Sequence, residues 1–270
     1  MATEGPLEIN LHKILRKRGA KVPGFLISFL ERIIHQDELN GMLRAGYPAE
    51  GSEFAKRILD HLDISVETEG LDKLPEGRYM FASNHPLGGL DGVALISLLG
   101  EKYGDDGVRF LVNDMLMNVE PLRKVFLPIN KYGSQGRKAA AAINEAMASD
   151  MQILQFPAGL VSRLHDDGGI RDLDWQKSFV AKAIEYHRDI VPVHFIALNR
   201  KRFYRLARLR KKLGIKVNLE QAMLPAELCA TRGKRFRAVF GTPISWETLR
   251  DSGKTPQELA TDLRSAVYRL

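Results

Sequence analysis

At 270 residues, 44% of them hydrophobic and 27% charged, the chain is long enough for one large domain, or a main domain with a smaller appendage, and has no low-complexity tract or internal repeat. Forty Lys and Arg against 33 Asp and Glu give a net charge of +7; this suits an anionic partner, whether nucleic acid, acidic lipid, an acidic carrier protein or a phosphorylated substrate, without choosing among them. A single cysteine, Cys229, excludes an internal disulfide and fits a reducing compartment; it reads as a small buried apolar residue and not as a nucleophile.

The opening MATEGPLEINLHKILRKRGAK is not a signal peptide, because acids and bases interrupt each apolar run and no cleavage site follows. The first 60 or so residues read as helices. Leu26, Leu30, Ile33 and Ile34 fall on one helical face after Pro23-Gly24, and Ser52 is the expected N-cap of a helix carrying Phe54, Ile58, Leu59 and Leu62. Between them, residues 40–51 read as a loop. The segments Phe25–Ile34 and Gly92–Gly100 are too short to span a bilayer, which takes about 20 apolar residues.

From residue 64 short apolar runs alternate with helical patterns. Strands are expected at 78–83, 109–113, 125–130, 151–156, 189–197 and 235–245. Helices are expected at 93–99, 137–149 and 173–187, the last with Trp175, Phe179, Val180, Ala183 and Ile184 inward. The stretch 201–212, KRFYRLARLRKK, holds seven basic residues and no acid, as either a solvated helix face or a docking surface. At the C-terminus Thr255 is an N-cap with Pro256 at N1 and Glu258 at N3, before a buried stripe of Leu259, Leu263, Val267 and Leu270. The fold class is therefore α/β, a largely parallel sheet flanked by helices, with an N-terminal helical lobe at 1–63 and an α/β domain at 64–270.

In such folds functional residues gather on loops that leave the carboxyl ends of strands. Two stretches sit there: SNHPLGGLDG (83–92) and FPAGLVSR (156–163). Phosphate-binding, dinucleotide-binding and zinc-peptidase motifs are absent, no cysteine pair exists to hold zinc, and no metal site is expected. YGSQG (132–136) misses the nucleophile elbow because residue 132 is tyrosine, and no nucleic-acid module is visible. Of the seven histidines, His187 and His194 flank a strand and read as structural or surface residues. His85 stands apart: Pro86 fixes the chain after it, and Gly88 and Gly89 allow a sharp turn before Asp91 opens a helix. Two readings fit. Either Asp91 holds one ring nitrogen of His85 and makes the other a general base, or Asp91 is a plain N-cap and His85 a turn residue.

The residues resemble a known family. NHPLGGLD is similar to the first motif of the glycerolipid (lysophosphatidic acid) acyltransferase superfamily, an Asn-His with an aspartate five positions after the histidine. FPAGLVSR resembles the third motif, normally Phe-Pro-Glu-Gly followed by Thr-Arg-Ser. VPVHF resembles the fourth, and FLPINKYGSQGRKAA lies in the place of the second. The four stand in order over roughly residues 64–270 and most resemble a bacterial branch labelled glycerol acyltransferase or hemolysin-like, which includes O-acyltransferases that make acylated amino-acid lipids. The resemblance implies a catalytic pair, His85 and Asp91, and substrate-binding positions at Asn84, Gly88, Gly89, Lys131, Arg137, Phe156, Pro157, Gly159 and Arg163.

Four departures matter. Asp91 lies six positions after His85, one more than the family pattern, and the Gly88-Gly89 pair is expected to absorb the extra residue. Ala158 replaces the acidic residue of the third motif. Lys131, with Arg137 a turn further on, stands for the second-motif arginine, and the third-motif arginine is displaced to Arg163. The resemblance implies acyl transfer to an acceptor other than lysophosphatidic acid. The expected donor is a thioester of acyl carrier protein or coenzyme A, a co-substrate and not a resident cofactor. The expected acceptor is a single-chain lipid, in a cytoplasmic enzyme peripheral on the inner face of the membrane, with no nucleic-acid partner. The N-terminal bases beside an apolar helix fit docking at an anionic membrane, or simple packing on the α/β domain. A non-catalytic lipid-binding protein and a thioesterase or lysophospholipase using the same base are the rivals.

Overall fold

The computed structural model describes residues 5–17, 19, 22–129, 136–215 and 218–270. Strands β1 (Ser65–Glu69), β2 (Tyr79–Ser83), β3 (Val108–Asn113), β4 (Phe126–Ile129), β5 (Gln152–Gln155), β6 (Arg163–Leu164), β7 (Ile170–Arg171), β8 (Asp189–Ile196) and β9 (Arg235–Phe240) form two sheets. Seven make one sheet in the order β1-β9-β8-β2-β5-β3-β4, and β6 and β7 make a small hairpin. Neighbours from β8 to β4 run parallel; β9 is antiparallel to β8 and parallel to β1. The carboxyl ends of β2, β3, β4, β5 and β8 thus meet at one edge, as expected for an α/β sheet.

Helices α1 (Leu11–Lys17), α2 (Gly24–Ile33), α3 (Gln36–Gly46) and α4 (Gly51–His61) come first, followed by α5 (Leu90–Tyr103), α6 (Arg137–Ala148), α7 (Ser178–Glu185), α8 (Lys201–Lys212), α9 (Leu224–Cys229), α10 (Trp246–Asp251) and α11 (Pro256–Val267). Every residue of β2 is buried, because helices cover both faces of the sheet. Tyr79 and Phe81 point with Val191, Val193 and Phe195 toward α4 and α5. Met80, Ala82, Ile153 and Ile190 point the other way, toward α6, α7 and α11. No helix among the described residues is long and apolar enough to cross a membrane.

Several local expectations fail for identifiable reasons. The loop expected at 40–51 is largely helix α3, despite glycines at 41 and 46. Gly46 permits close approach: a Cβ there would stand 2.3 Å from the Phe54 ring. Asn40 points its amide away from the helix, exchanging hydrogen bonds with the N–H (2.7 Å) and C=O (2.9 Å) of Ile9. Ser52 is not the N-cap of α4. The helix starts two residues earlier than that, at Gly51 with Glu50 in the N-cap position, and the Ser52 amide donates to Asp105 Oδ1 at 2.9 Å, so a carboxylate from beyond the far end of α5 caps it.

Within α2 the buried residue is Ile27, while Leu26 is exposed and Leu30, Ile33 and Ile34 are half-buried. Residues 173–177 precede α7 in non-helical form: Gln176 donates its amide to the Pro157 carbonyl (3.1 Å), and the Trp175 indole donates to Asp172 (2.9 Å). His194 lies inside β8 and not beside it. The C-terminal capping box forms as expected, but α11 ends at Val267 and Leu270 is exposed beyond it.

Candidate active site

β2 ends at Ser83 and passes directly into the turn carrying His85. Asn84 is buried and locks the turn to β8: its Nδ2 donates to the Phe195 carbonyl (3.0 Å), and the Phe195 amide donates to its Oδ1 (2.7 Å). Both ends of its amide are thus engaged with the backbone of β8. Asn199, just past β8, adds a second tie by donating to the Pro86 carbonyl at 3.1 Å.

The extra residue between His85 and Asp91 is absorbed by the turn. Gly88 adopts φ +79°, whereas Gly89 is extended at φ −171°. The Asp91 carboxylate then sits inside the turn, fully buried, in the first helical turn of α5. Its Oδ2 lies 2.9 Å from His85 Nδ1 and accepts from the Leu87 amide at 3.0 Å; its Oδ1 accepts from the amides of Gly89 and Gly92, each at 3.0 Å. Burial alone would raise the Asp91 carboxyl. The adjacent His85 ring, their hydrogen bond and the Leu87 and Gly92 amides outweigh that, and hold it below its ordinary value of 3.8. An ionised Asp91 fixes the tautomer with hydrogen on Nδ1, which makes Nε2 the basic nitrogen. Across the ring face Phe156 stacks on His85, with centroids 4.1 Å apart and planes inclined by 25°.

Sequence reading missed the group that holds the His85 backbone. Asp172 is buried, and its Oδ1 accepts from the His85 amide at 3.2 Å and from the Ser162 hydroxyl at 2.6 Å. The Ser162 amide in turn donates to the His85 carbonyl at 2.9 Å. The other oxygen of Asp172 takes the Trp175 indole N–H, and the Asp172 amide donates to the Tyr268 hydroxyl at 2.7 Å. Both peptide groups of His85 are therefore fixed by the third-motif loop and by the segment before α7. No spacing rule announces this, since Asp172 is 87 positions from His85.

The remaining expected positions divide. Phe156 joins the His85 ring, Pro157 is buried, and Gly159 turns the chain at φ +63° with its amide on the Phe156 carbonyl at 2.9 Å. Ala158 is buried in the core on the α6–α7 face. Arg163 is occupied elsewhere: its guanidinium pairs with fully buried Glu220 at 3.0 Å, which also pairs with Arg210 at 2.8 Å. Burial lowers the Arg163 pKa, against the pull of Glu220. Arg137 is exposed at the start of α6, and Lys131 and residues 132–135 lie outside the described residues.

A family model described as Acyltransferase matches residues 14–269. The chain is 45% identical over 267 residues to the lyso-glycine lipid O-acyltransferase of Phocaeicola vulgatus, covering 97% of this chain and 95% of that one. It is 44% identical over 267 residues to the protein of the same name from Bacteroides thetaiotaomicron, covering 97% of each. Among solved structures it is similar to the 1-acyl-sn-glycerophosphate acyltransferase of Thermotoga maritima, at 15% identity and a TM-score of 0.49, over 91% of this chain and 86% of that one.

Proposed function

Because the chain belongs to the acyltransferase family, we propose that it moves a fatty acyl group from an acyl thioester to the hydroxyl of a single-chain amino-acid lipid of the lyso-glycine type, with His85 as general base. The observation that carries the base assignment is the 2.9 Å contact between His85 Nδ1 and buried Asp91. The acceptor class is taken from the names of the relatives, and uncharged Ala158 in the third motif fits an acceptor other than a lysophosphatidic acid. The donor is acyl carrier protein or coenzyme A, and the enzyme works peripherally at the inner face of the cytoplasmic membrane.

In this mechanism His85 Nε2 takes the proton from the acceptor hydroxyl as its oxygen attacks the thioester carbonyl. Asp91 stabilises the imidazolium that forms. The tetrahedral intermediate collapses with cleavage of the C–S bond, and the imidazolium returns its proton to the departing thiolate, which leaves an ester and a free thiol. No acyl-enzyme is formed. A general base of this kind supplies about 10² to 10⁴-fold; the ties to Asn84, Ser162 and Asp172 serve the positioning that supplies more.

The test is acyl transfer from a radiolabelled thioester to a lyso-glycine lipid, for wild type and His85→Ala. The variant is expected to lose about 10² to 10⁴-fold in kcat while still folding. Wild type that transfers nothing to any hydroxyl lipid would defeat the proposal and favour a binding protein. Release of free fatty acid irrespective of acceptor would assign the same base to hydrolysis.

A further inference from the structure

The cations of α8 and its approach fall into two groups. One group is neutralised internally. Arg200, just ahead of the helix, and Arg202 both pair with Glu227 at 3.1 Å, and Arg210 pairs with Glu220 at 2.8 Å. Both glutamates are buried, so these arginines tie α8 to the segment before and within α9 and serve the fold. The other group is left uncompensated. Lys201, Arg205, Arg208 and Lys212 recur at intervals of four, three and four, which puts one exposed cation on each successive turn of a single face. Among the described residues Lys201, Arg205 and Lys212 have no ion pair, and the solvent-open contact of Arg208 with Asp166, 3.9 Å long, contributes little. At 1.5 Å per residue the stripe spans about 17 Å.

The apolar side of α8 is already covered by its own chain. Phe203, Tyr204 and Ala207, turned away from the stripe, are buried, and Phe203 and Tyr204 pack with Val161. A helix that lies in a bilayer works the other way, with its apolar face in lipid and its cations flanking that face. What α8 offers outward is a row of charge at fixed intervals, with Leu209, 53% exposed, beside it.

The row begins at the catalytic turn. Asn199 donates its side-chain amide to the Pro86 carbonyl at 3.1 Å and its backbone amide to the Tyr204 hydroxyl at 3.0 Å. Val161, against Phe203 and Tyr204, is the residue that a Cβ on Gly88 would strike, at 2.3 Å. The start of α8 is therefore seated against the turn that holds His85 and Asp91, and the stripe runs on from there.

We propose that the exposed stripe of α8 is the docking surface for an acidic, helical acyl carrier protein, and that it selects this donor over a coenzyme A thioester. The inference rests on the reading that the acyl group comes from a thioester, and it names the partner that brings it. Both donors are anionic, but coenzyme A concentrates its charge in the phosphates at one end, which a compact cluster of cations would match. A carrier protein presents acidic side chains along a helix, with the same turn-by-turn spacing as the stripe. Complementary rows of charge steer the encounter and fix its orientation, so that the thioester arm enters at the start of α8, beside His85. Leu209 supplies apolar contact among the charges of such an interface.

Steady-state kinetics with palmitoyl acyl carrier protein and palmitoyl-CoA as alternative donors tests this, beside titration of fluorescently labelled holo-acyl carrier protein followed by anisotropy. Combined Arg205→Glu and Lys212→Glu substitution raises the KM for the carrier-protein donor about tenfold or more at low salt, while the KM for palmitoyl-CoA moves by less than about twofold. The anisotropy titration weakens by the same factor, and an unchanged melting temperature shows that the variant folds. Lys56→Glu with Lys73→Glu, the same change of net charge at exposed positions of α4 and the segment before β2, alters neither donor's KM. Equal loss with both donors, no loss with either, or carrier binding unmoved by the double variant would each overturn the assignment. So would a double variant that loses only sedimentation with phosphatidylglycerol vesicles, which would give the stripe to lipid. His85→Ala binds the carrier like wild type, so a chain that binds carrier through α8 but transfers no acyl group would defeat the acyl-transfer reading alone.

Discussion

At Gly88 a Cβ would stand 2.3 Å from Val161 Cγ2 and 3.0 Å from a Leu224 methyl, in a backbone conformation of φ +79° that L-residues rarely adopt. At Gly89, one residue on, the φ of −171° is open to any residue and a Cβ meets nothing within 4 Å. The two glycines of the turn are therefore not equivalent. Gly88→Ala is expected to cost about 2 kcal/mol or more of stability, from left-handed strain of about 1–2 kcal/mol together with the clash, and to disturb the Asp91 contact. Gly89→Ala should unfold within about 0.5 kcal/mol of wild type. Urea midpoints with kcat measured alongside check both. Asp91 reaches His85 because both lie in one short turn, so that contact was legible in residue types and spacing. The Ser162–Asp172 brace was not. It joins residues brought together only when the third-motif loop, the segment before α7 and the end of α11 have packed, and a buried aspartate carries no local pattern to announce it.

Helix α6 could be read from propensity alone, but what finishes it could not. Its C-terminal carbonyls meet a fully buried guanidinium, Arg188, at the start of the approach to β8. Arg188 donates to the carbonyls of Ala146 (3.0 Å), Met147 (2.8 Å), Ser149 (2.5 Å) and Met151 (2.7 Å). It also reaches the carbonyl of Tyr79 in β2 at 3.3 Å. Burial, with Arg78 pushing the same way, draws its pKa down to about 10, so it stays charged at neutral pH. The cation is held by helix-end carbonyls and not by a paired carboxylate, in accord with the negative end of the helix dipole. Arg188→Met leaves several buried carbonyls without donors and should cost about 3 kcal/mol or more. Arg188→Lys, with three donors and no fork, should recover part of that. Thermal melts of the two variants beside wild type check the order. The same tertiary override explains α3, whose glycines argue for a loop until Phe54 and Ile9 supply the contacts that make a helix there stable.

On the scale of the whole molecule, α4 belongs to the same hydrophobic cluster as the central sheet. Phe54, Ala55, Ile58, Leu59 and Leu62 pack in one group with Phe81, Leu95, Leu99 and Phe195. Sequence periodicity located this helix and its inward residues, because a 3.6-residue stripe is a local signal. It gave no sign that α1 and α2 differ from α4 in this respect, since all three place apolar residues at helical spacing. In the structure α1 has no buried residue and α2 has one, Ile27. Removing residues 1–33 should therefore leave a cooperatively folded chain with a melting temperature within a few degrees of wild type, because little core is lost. Removing residues 1–63 strips six core side chains, Met42 among them, from the face of the sheet that carries α5, and large-to-small losses of about 2–5 kcal/mol for each large one together exceed the whole stability of an ordinary domain. That shorter chain should show no cooperative transition by circular dichroism, and a sharp melt from it would mean that residues 64–270 hold their own core.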